Sequence, residues 1–334
     1  MGDPGGIGAE CIVKALADPA RRRSARFVIY GSAAPMRAAA DAAGIEHFWW
    51  RAAEGSGLAP ARAHDVALID SGGDRFQAWP TREGGRLSYA WVERAIGDCL
   101  SGEAQGIVTG PISKAAWHAG GHKRFPGHTE LLADRFKTKR VGMLFESPKL
   151  RVILATVHIP LMDVRNALTI GKVFDAIDLG NDACKELGIE SPRIAVCGLN
   201  PHAGEDGMLG DEETRVIGPA IEHAVRSGID ARGPYPGDTV FNRALGSGTG
   251  AGGPGGGFDL VVAMYHDQGL IPVKLIGWDR AVNVSCGLPV PRTSPDHGTA
   301  FDIVGTNRAD AGSTAAAIDH CVMLARLKAA RAST

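Results

Sequence analysis

The chain has 334 residues, 45 of them glycine, about twice the usual share. With no G-X-Y period, 44% hydrophobic residues and only 22% charged, it is neither collagen-like nor disordered, and it reads as globular. Lys plus Arg (36) nearly balances Asp plus Glu (37), so no overall field draws the chain to nucleic acid or to an anionic membrane, and any anion site has to be local.

Met1 runs directly into GDPGGIG, a loop that in an α/β protein normally follows a strand and opens a helix, here 9–16. The expectation is that the preceding strand is missing, that the native product is longer, and that a position in the sheet is unfilled. Short β-rich apolar runs then alternate with longer helical patterns, the mark of a largely parallel α/β sheet. Strands are predicted at 27–30, 66–69, 106–109, 141–145, 152–157, 194–199, 260–264 and 281–284, and helices at 36–43, 87–100, 129–136, 170–187, 212–227 and 313–331. Ser313 is a plausible N-cap for the last helix, and Leu87, Trp91, Arg94 and Ile96 suggest one buried stripe on the second. The tract 246–257 (GSGTGAGGPGGG) has eight glycines in twelve residues and no GK[ST] ending, so it reads as a flexible insertion and not as a phosphate loop. The six cysteines (Cys11, Cys99, Cys184, Cys197, Cys286, Cys321) form no C-x-x-C pair and sit mostly in apolar runs, as reduced core residues of a cytoplasmic protein do. No run approaches the ~18 residues of a membrane span, and no signal-peptide pattern opens the chain.

Three histidines occupy equivalent places: His158, His202 and His266 each follow an apolar strand-like run, at the edge where open α/β sheets bind ligands. One such histidine is ordinarily a hydrogen-bonded packing residue; three can converge on a divalent ion and leave positions open for substrate. His128-Thr129 opens a helix, where backbone N–H groups favour an anion, although Thr129 as a plain N-cap would need no ligand. Thr109–Lys114 (TGPISK) is a second strand-to-helix turn, too short for a Walker loop. Lys274, Asn283 and Arg292 lie in the stretch between His266 and His297; a guanidinium suits carboxylate or phosphate, and a lysine can assist proton transfer. The run DHGTAFD from Asp296 combines two carboxylates, an imidazole and a turn, or is simply a turn capped by Asp296 and Thr299. There is no G-x-G-x-x-G after a strand and no G-x-S-x-G elbow, so neither a Rossmann site nor a serine hydrolase is supported.

Taken together these stretches resemble the PdxA family of NAD-dependent 4-hydroxythreonine-4-phosphate dehydrogenases. Nine collinear blocks carry the likeness: GDPGGIGAE, TGPISK, FPGHTELLA, HIPL, GLNPHAGEDGMLGDEE, DTVF, AMYHDQGLIPVK, AVN and GLPVPRTSPDHGTAFDIVG. The resemblance implies an isocitrate/isopropylmalate-dehydrogenase-like fold of two α/β domains with a cleft, working as a homodimer with its active site at the subunit interface. On that pattern the domains are 1–125 with 297–334, and 126–296, the second carrying the dimer interface and the metal ligands. His158, His202 and His266 match divalent-metal ligands (zinc, magnesium or cobalt) shared between subunits. His128, Thr129, Lys274, Asn283 and Arg292 match substrate contacts, with Lys274 the candidate for proton transfer. His297, Gly298, Thr299 and Asp302 match an adenosine-binding loop for NAD, or NADP.

The implied reaction is oxidation of 4-(phosphooxy)-L-threonine, then decarboxylation to 3-amino-2-oxopropyl phosphate on the route to pyridoxal phosphate. The same motifs suit a branch acting on 4-phospho-D-threonate or 4-phospho-D-erythronate, and a further relative oxidises an aromatic dihydrodiol. From other classes, a metal-dependent phosphatase lacks the carboxylates that usually bridge two metals, and a non-catalytic phosphate-ligand binder would have no use for three histidines.

Overall fold

The computed structural model describes every residue except 74–75, 247–256, 278–279 and 333–334. The glycine-rich tract expected to be a flexible insertion therefore lies almost wholly outside the described residues. Eleven strands are found among the described residues: β1 (Phe27–Gly31), β2 (Trp50–Ala53), β3 (Val66–Asp70), β4 (Ile107–Val108), β5 (Gly142–Glu146), β6 (Arg151–Leu154), β7 (Arg193–Cys197), β8 (Asp230–Tyr235), β9 (Leu260–Ala263), β10 (Val282–Cys286) and β11 (Arg292–Pro295).

The chain divides into two compact units, Met1–Thr138 with Leu288–Arg326, and Lys139–Gly287 with Leu327–Thr334. These boundaries differ from the sequence expectation of 125/126 and 296/297, and the packing explains why. The helix His128–Arg135 is tied to the helix Arg82–Leu100, where Arg135 donates to both Glu93 carboxylate oxygens, and β11 pairs in parallel with β4.

In the first unit β3 lies between β1 and β2, all parallel. Its five residues, VALID, are all buried, as befits a central parallel strand covered on both faces. Leu68, Ile29, Met36 and Trp91 share its core with Val13 and Leu16 of the helix Gly8–Leu16. The Met1 amine is enclosed beside β1 and donates to the Tyr30 carbonyl at 3.0 Å, and burial pushes its pKa down to about 5. The helix Arg82–Leu100 begins five residues before the predicted start: Thr81 Oγ1 accepts from the Gly84 amide, and a side chain at Gly85 would lie 1.8 Å from the Ala116 carbonyl oxygen. Two helices thus meet backbone to backbone there, which is why a glycine pair that reads as a breaker sits inside a helix. Leu87, Trp91 and Ile96 form the buried stripe as expected, but Arg94 is exposed and takes no part in it.

The second unit holds β10-β5-β6-β9-β7-β8 in that order. β6, β9, β7 and β8 are parallel, whereas β5 runs antiparallel to both β10 and β6, so the sheet is mixed. After Arg193, β7 is apolar and buried, as is β9, and the helix Ile170–Glu186, capped by Thr169, covers them. Two expected helices change form. The stretch predicted as one helix at 212–227 is a π-helical turn, Glu213–Ile217, followed by the helix Gly218–Arg226. The last helix, Gly312–Ala332, starts one residue before Ser313, whose hydroxyl accepts from the Asp296 amide and does not cap the helix. All six cysteines are free and buried. Among the described residues no helix is long and apolar enough to cross a membrane.

Candidate active site

In the second unit, β6 and β9 deliver two of the three expected imidazoles to one place. His158 follows β6 by four residues and His266 opens the helix His266–Gly277 just after β9; their ring centroids are 5.6 Å apart. His266 Nδ1 is 2.7 Å from Asp267 Oδ1, and His202 Nδ1 is 2.7 Å from Glu205 Oε2. A carboxylate at Nδ1 favours the tautomer protonated there, which leaves the Nε2 lone pair for a metal or a proton. The donor chemistry therefore fits a divalent cation. The full triad is nevertheless not gathered: among the described residues no group of three His, Cys, Asp or Glu side chains is arranged to hold a metal, and His202 stands exposed on its own loop.

That loop has an unusual backbone. His202, Ala203, Glu205 and Asp206 all have φ between 44° and 54°, and Gly204 between them has φ 88°, giving a left-handed turn of five residues. L-residues avoid this region at ~1–2 kcal/mol each, so something must hold the turn. Glu213, buried on the π-helical turn, does so: its Oε1 accepts from the Leu199 and Asn200 amides at 2.7 and 2.8 Å, and its Oε2 from Asn200 Nδ2 at 2.9 Å. Gly198 is required beside it, since a Cβ there would meet Ala203 Cα at 2.9 Å. Lys274 is half-buried in the helix that His266 begins, and Asn283 is half-buried on β10 with Oδ1 enclosed and lacking a hydrogen-bond partner.

In the first unit, Arg292 and His128 are both enclosed. Arg292, at the start of β11, is almost wholly enclosed and donates to Thr109 Oγ1 at 2.6 Å. Burial lowers its pKa to about 10, which leaves it charged at neutral pH. His128 is the first residue of its helix, edge-on to Trp117 at 5.4 Å, and its Nε2 is enclosed without a hydrogen-bond partner. Burial, then the positive charges of Arg292 and the Met1 amine, push its pKa well below the ordinary value, so the imidazole is neutral. Gly127 precedes the helix and no side chain caps it, so the reading of Thr129 as an N-cap does not hold. An uncapped helix start, a neutral imidazole able to donate and an enclosed guanidinium together suit an anion.

The four expected cofactor residues lie on one loop. His297 is tied to its own loop and to the last helix, with Nδ1 3.0 Å from the Gly298 carbonyl and Nε2 3.3 Å from Thr314 Oγ1. The Thr299 carbonyl accepts from the Ile7 amide, which docks the loop on GDPGGIG; Asp302 is exposed, and a Cβ at Gly298 would meet nothing within 4 Å.

A family model described as "Pyridoxal phosphate biosynthetic protein PdxA" matches residues 23–321. The chain belongs to the PdxA family. Its relatives include a 4-hydroxythreonine-4-phosphate dehydrogenase of Geobacter metallireducens, 41% identical and covering 100% of this chain and 96% of that protein. A D-threonate 4-phosphate dehydrogenase of Salmonella typhimurium is also 41% identical, covering 97% of each. The crystal structure of a 4-hydroxythreonine-4-phosphate dehydrogenase from Klebsiella pneumoniae matches with TM-score 0.83 at 38% identity, over 97% of this chain and 96% of that one. This PdxA family member therefore has the mixed-sheet α/β fold of its relatives, which are dehydrogenases by name. Sequence reasoning missed Glu213 and the neighbouring Gln268, though both stand inside quoted blocks, because a Glu after a loop and a Gln after a His carry no distinctive chemistry alone.

Proposed function

We propose that this protein is an NAD-dependent, divalent-metal-dependent dehydrogenase that oxidises the secondary hydroxyl of 4-(phosphooxy)-L-threonine, with decarboxylation following to give 3-amino-2-oxopropyl phosphate. The observation that carries the reading is the enclosed pair Arg292 and His128: a charged guanidinium and a neutral imidazole beside an uncapped helix start would grip a phosphate or carboxylate. His158, His202 and His266 would hold the metal, and Nδ1 contacts to Asp267 and Glu205 orient two of these rings for it. When bound, a divalent cation would lower the pKa of the substrate hydroxyl and stabilise the enolate left by decarboxylation. Lys274 is assigned to move a proton, Asn283 and Thr129 to orient substrate, and the loop bearing His297, Gly298, Thr299 and Asp302 to bind the adenosine half of NAD or NADP.

We further propose a homodimer in a reducing, cytoplasmic compartment. Leu161, Met162, Met208 and Leu209, on the stretches following His158 and His202, are exposed apolar side chains that a second copy would cover, and six free buried cysteines suit that compartment. The test is a side-by-side assay of 4-(phosphooxy)-L-threonine and 4-phospho-D-threonate with NAD and added divalent metal, following reduced nicotinamide and free phosphate. Reduction of NAD with the first substrate, abolished by thorough chelation, is expected. Higher kcat/KM for 4-phospho-D-threonate favours the second reading, which the Salmonella typhimurium relative supports; release of phosphate without NAD reduction overturns both.

A further inference from the structure

Three strands of the second unit, β6, β7 and β9, end next to one another and each leads into an expected metal-binding histidine. Beyond their ladders, the β9 and β7 ends are joined by one side chain. Gln268 Oε1 accepts from the Met264 amide at 2.7 Å, just past β9, and Gln268 Nε2 donates to the Gly198 carbonyl at 2.8 Å, just past β7. The other side of the Met264 residue is held from β6: its carbonyl accepts from Thr156 Oγ1 at 2.6 Å and from the Thr156 amide at 3.2 Å. Thr156 precedes His158 by two residues, Met264 precedes His266 by two, and Gly198 precedes His202 by four. A chain of hydrogen bonds therefore joins the approaches to all three histidines, with the Gln268 amide as its central link. The protein leaves room for that amide at Gly237, where a Cβ would stand 2.8 Å from Nε2.

We infer that Gln268 is a positioning residue that holds the loops of His202 and His266 in mutual register, so that each loop presents its imidazole to a divalent cation. The inference rests on the metal-dependent reading above. Its bland competitor is that Gln268 merely closes the first turn of the helix His266–Gly277 by reaching back to the Met264 amide, one residue before the N-cap amide that a capping-box glutamine reaches. Gln268→Glu separates the two, because a carboxylate keeps the acceptor for the Met264 amide and loses the donor to the Gly198 carbonyl. Gln268→Met removes both bonds at nearly constant length, and Gly237→Ala displaces the amide from outside.

The experiment measures binding of cobalt(II) to metal-stripped full-length protein by its visible absorption and by titration calorimetry, with thermal melting of the metal-free form alongside. We expect Gln268→Glu and Gly237→Ala to bind cobalt about 10- to 100-fold more weakly, the size typical of groups that orient ligands, with an altered cobalt spectrum and a metal-free melting temperature near wild type for Gln268→Glu. Wild-type affinity and spectrum in all three variants would overturn the inference and leave the metal reading standing. Weakening confined to Gln268→Met, in step with a loss of melting temperature, would assign Gln268 to the helix cap and likewise overturn it. Wild-type protein that takes up no cobalt would overturn the metal reading itself, and this inference with it.

Discussion

Replacing Glu213 by alanine tests the most strained element of the candidate site. The carboxylate makes three hydrogen bonds, to the Leu199 and Asn200 amides and to Asn200 Nδ2. Bonds to a charged group contribute about 1.5–3 kcal/mol each, or roughly 4–9 kcal/mol together. Against them stands the left-handed turn, in which four non-glycine residues, His202, Ala203, Glu205 and Asp206, cost about 1–2 kcal/mol each, or roughly 4–8 kcal/mol. The two sums nearly cancel, and that decides the phenotype. Global stability should fall by only a few kcal/mol because the freed turn relaxes, while the local conformation that presents His202 is lost outright. Amide hydrogen exchange read by mass spectrometry checks this: Leu199 and Asn200 should exchange at least about 100-fold faster, the equivalent of roughly 3 kcal/mol, while β9 stays protected. Glu213→Gln should fall between, keeping the Oε1 acceptor but facing Asn200 Nδ2 with a second donor. Unchanged exchange at Leu199 and Asn200 in Glu213→Ala would refute the claim that this carboxylate holds the turn.

Gly85→Ala should destabilise by about 3 kcal/mol or more, since the new methyl meets a backbone carbonyl that cannot rotate away; Gly97→Ala on the same helix, where nothing lies within 4 Å, should stabilise by about 0.5–1 kcal/mol. Urea melts of the two variants that moved in the same direction would contradict the helix contact. His128, neutral in the folded protein and ordinary when unfolded, binds its proton only on unfolding, so stability should fall as pH drops below about 6.5. That part of the acid loss should be missing in His128→Gln, while the part due to the Met1 amine, which is pushed down to about 5 and begins to count nearer pH 8, should remain. A pH profile of stability identical in the variant and the wild type would show that His128 is not held neutral. Arg292→Lys keeps the charge but loses the planar fork, and under the proposed function KM for the phosphorylated substrate should rise about 10- to 100-fold with a smaller change in kcat; an unchanged KM would remove Arg292 from the substrate site.

How legible these features were in the sequence depended on whether burial and apolarity coincide. Apart from Asp70 and Arg193 at strand ends, β3, β7 and β9 are continuous apolar runs with every central residue buried, and reading along the chain locates them. Three strands escape that reading for distinct reasons. β2 is an edge strand showing Trp50 and Arg51 to solvent; β8 is an edge strand interrupted by Gly233-Pro234; and β11, Arg-Thr-Ser-Pro, is fully buried yet polar, its side chains bonded to Thr109 and to the Ala317 carbonyl. The helix His266–Gly277 was hidden by Gly269 and Pro272, which read as breakers. At the candidate site the imidazoles and charges announce themselves by residue type, but Glu213 and Gln268 act through backbone partners 13 and 70 residues away, and no local pattern encodes such a pairing.

The six buried thiols have a practical consequence. Cys11, Cys99 and Cys321 lie in the first unit, Cys184, Cys197 and Cys286 in the second, and burial raises the pKa of every one. A thiol that is both enclosed and protonated reacts with an alkylating reagent only when its surroundings open. The molecule thus carries three natural reporters in each half. Pulse alkylation with peptide mapping would time the opening of either half independently, without a label having to be introduced.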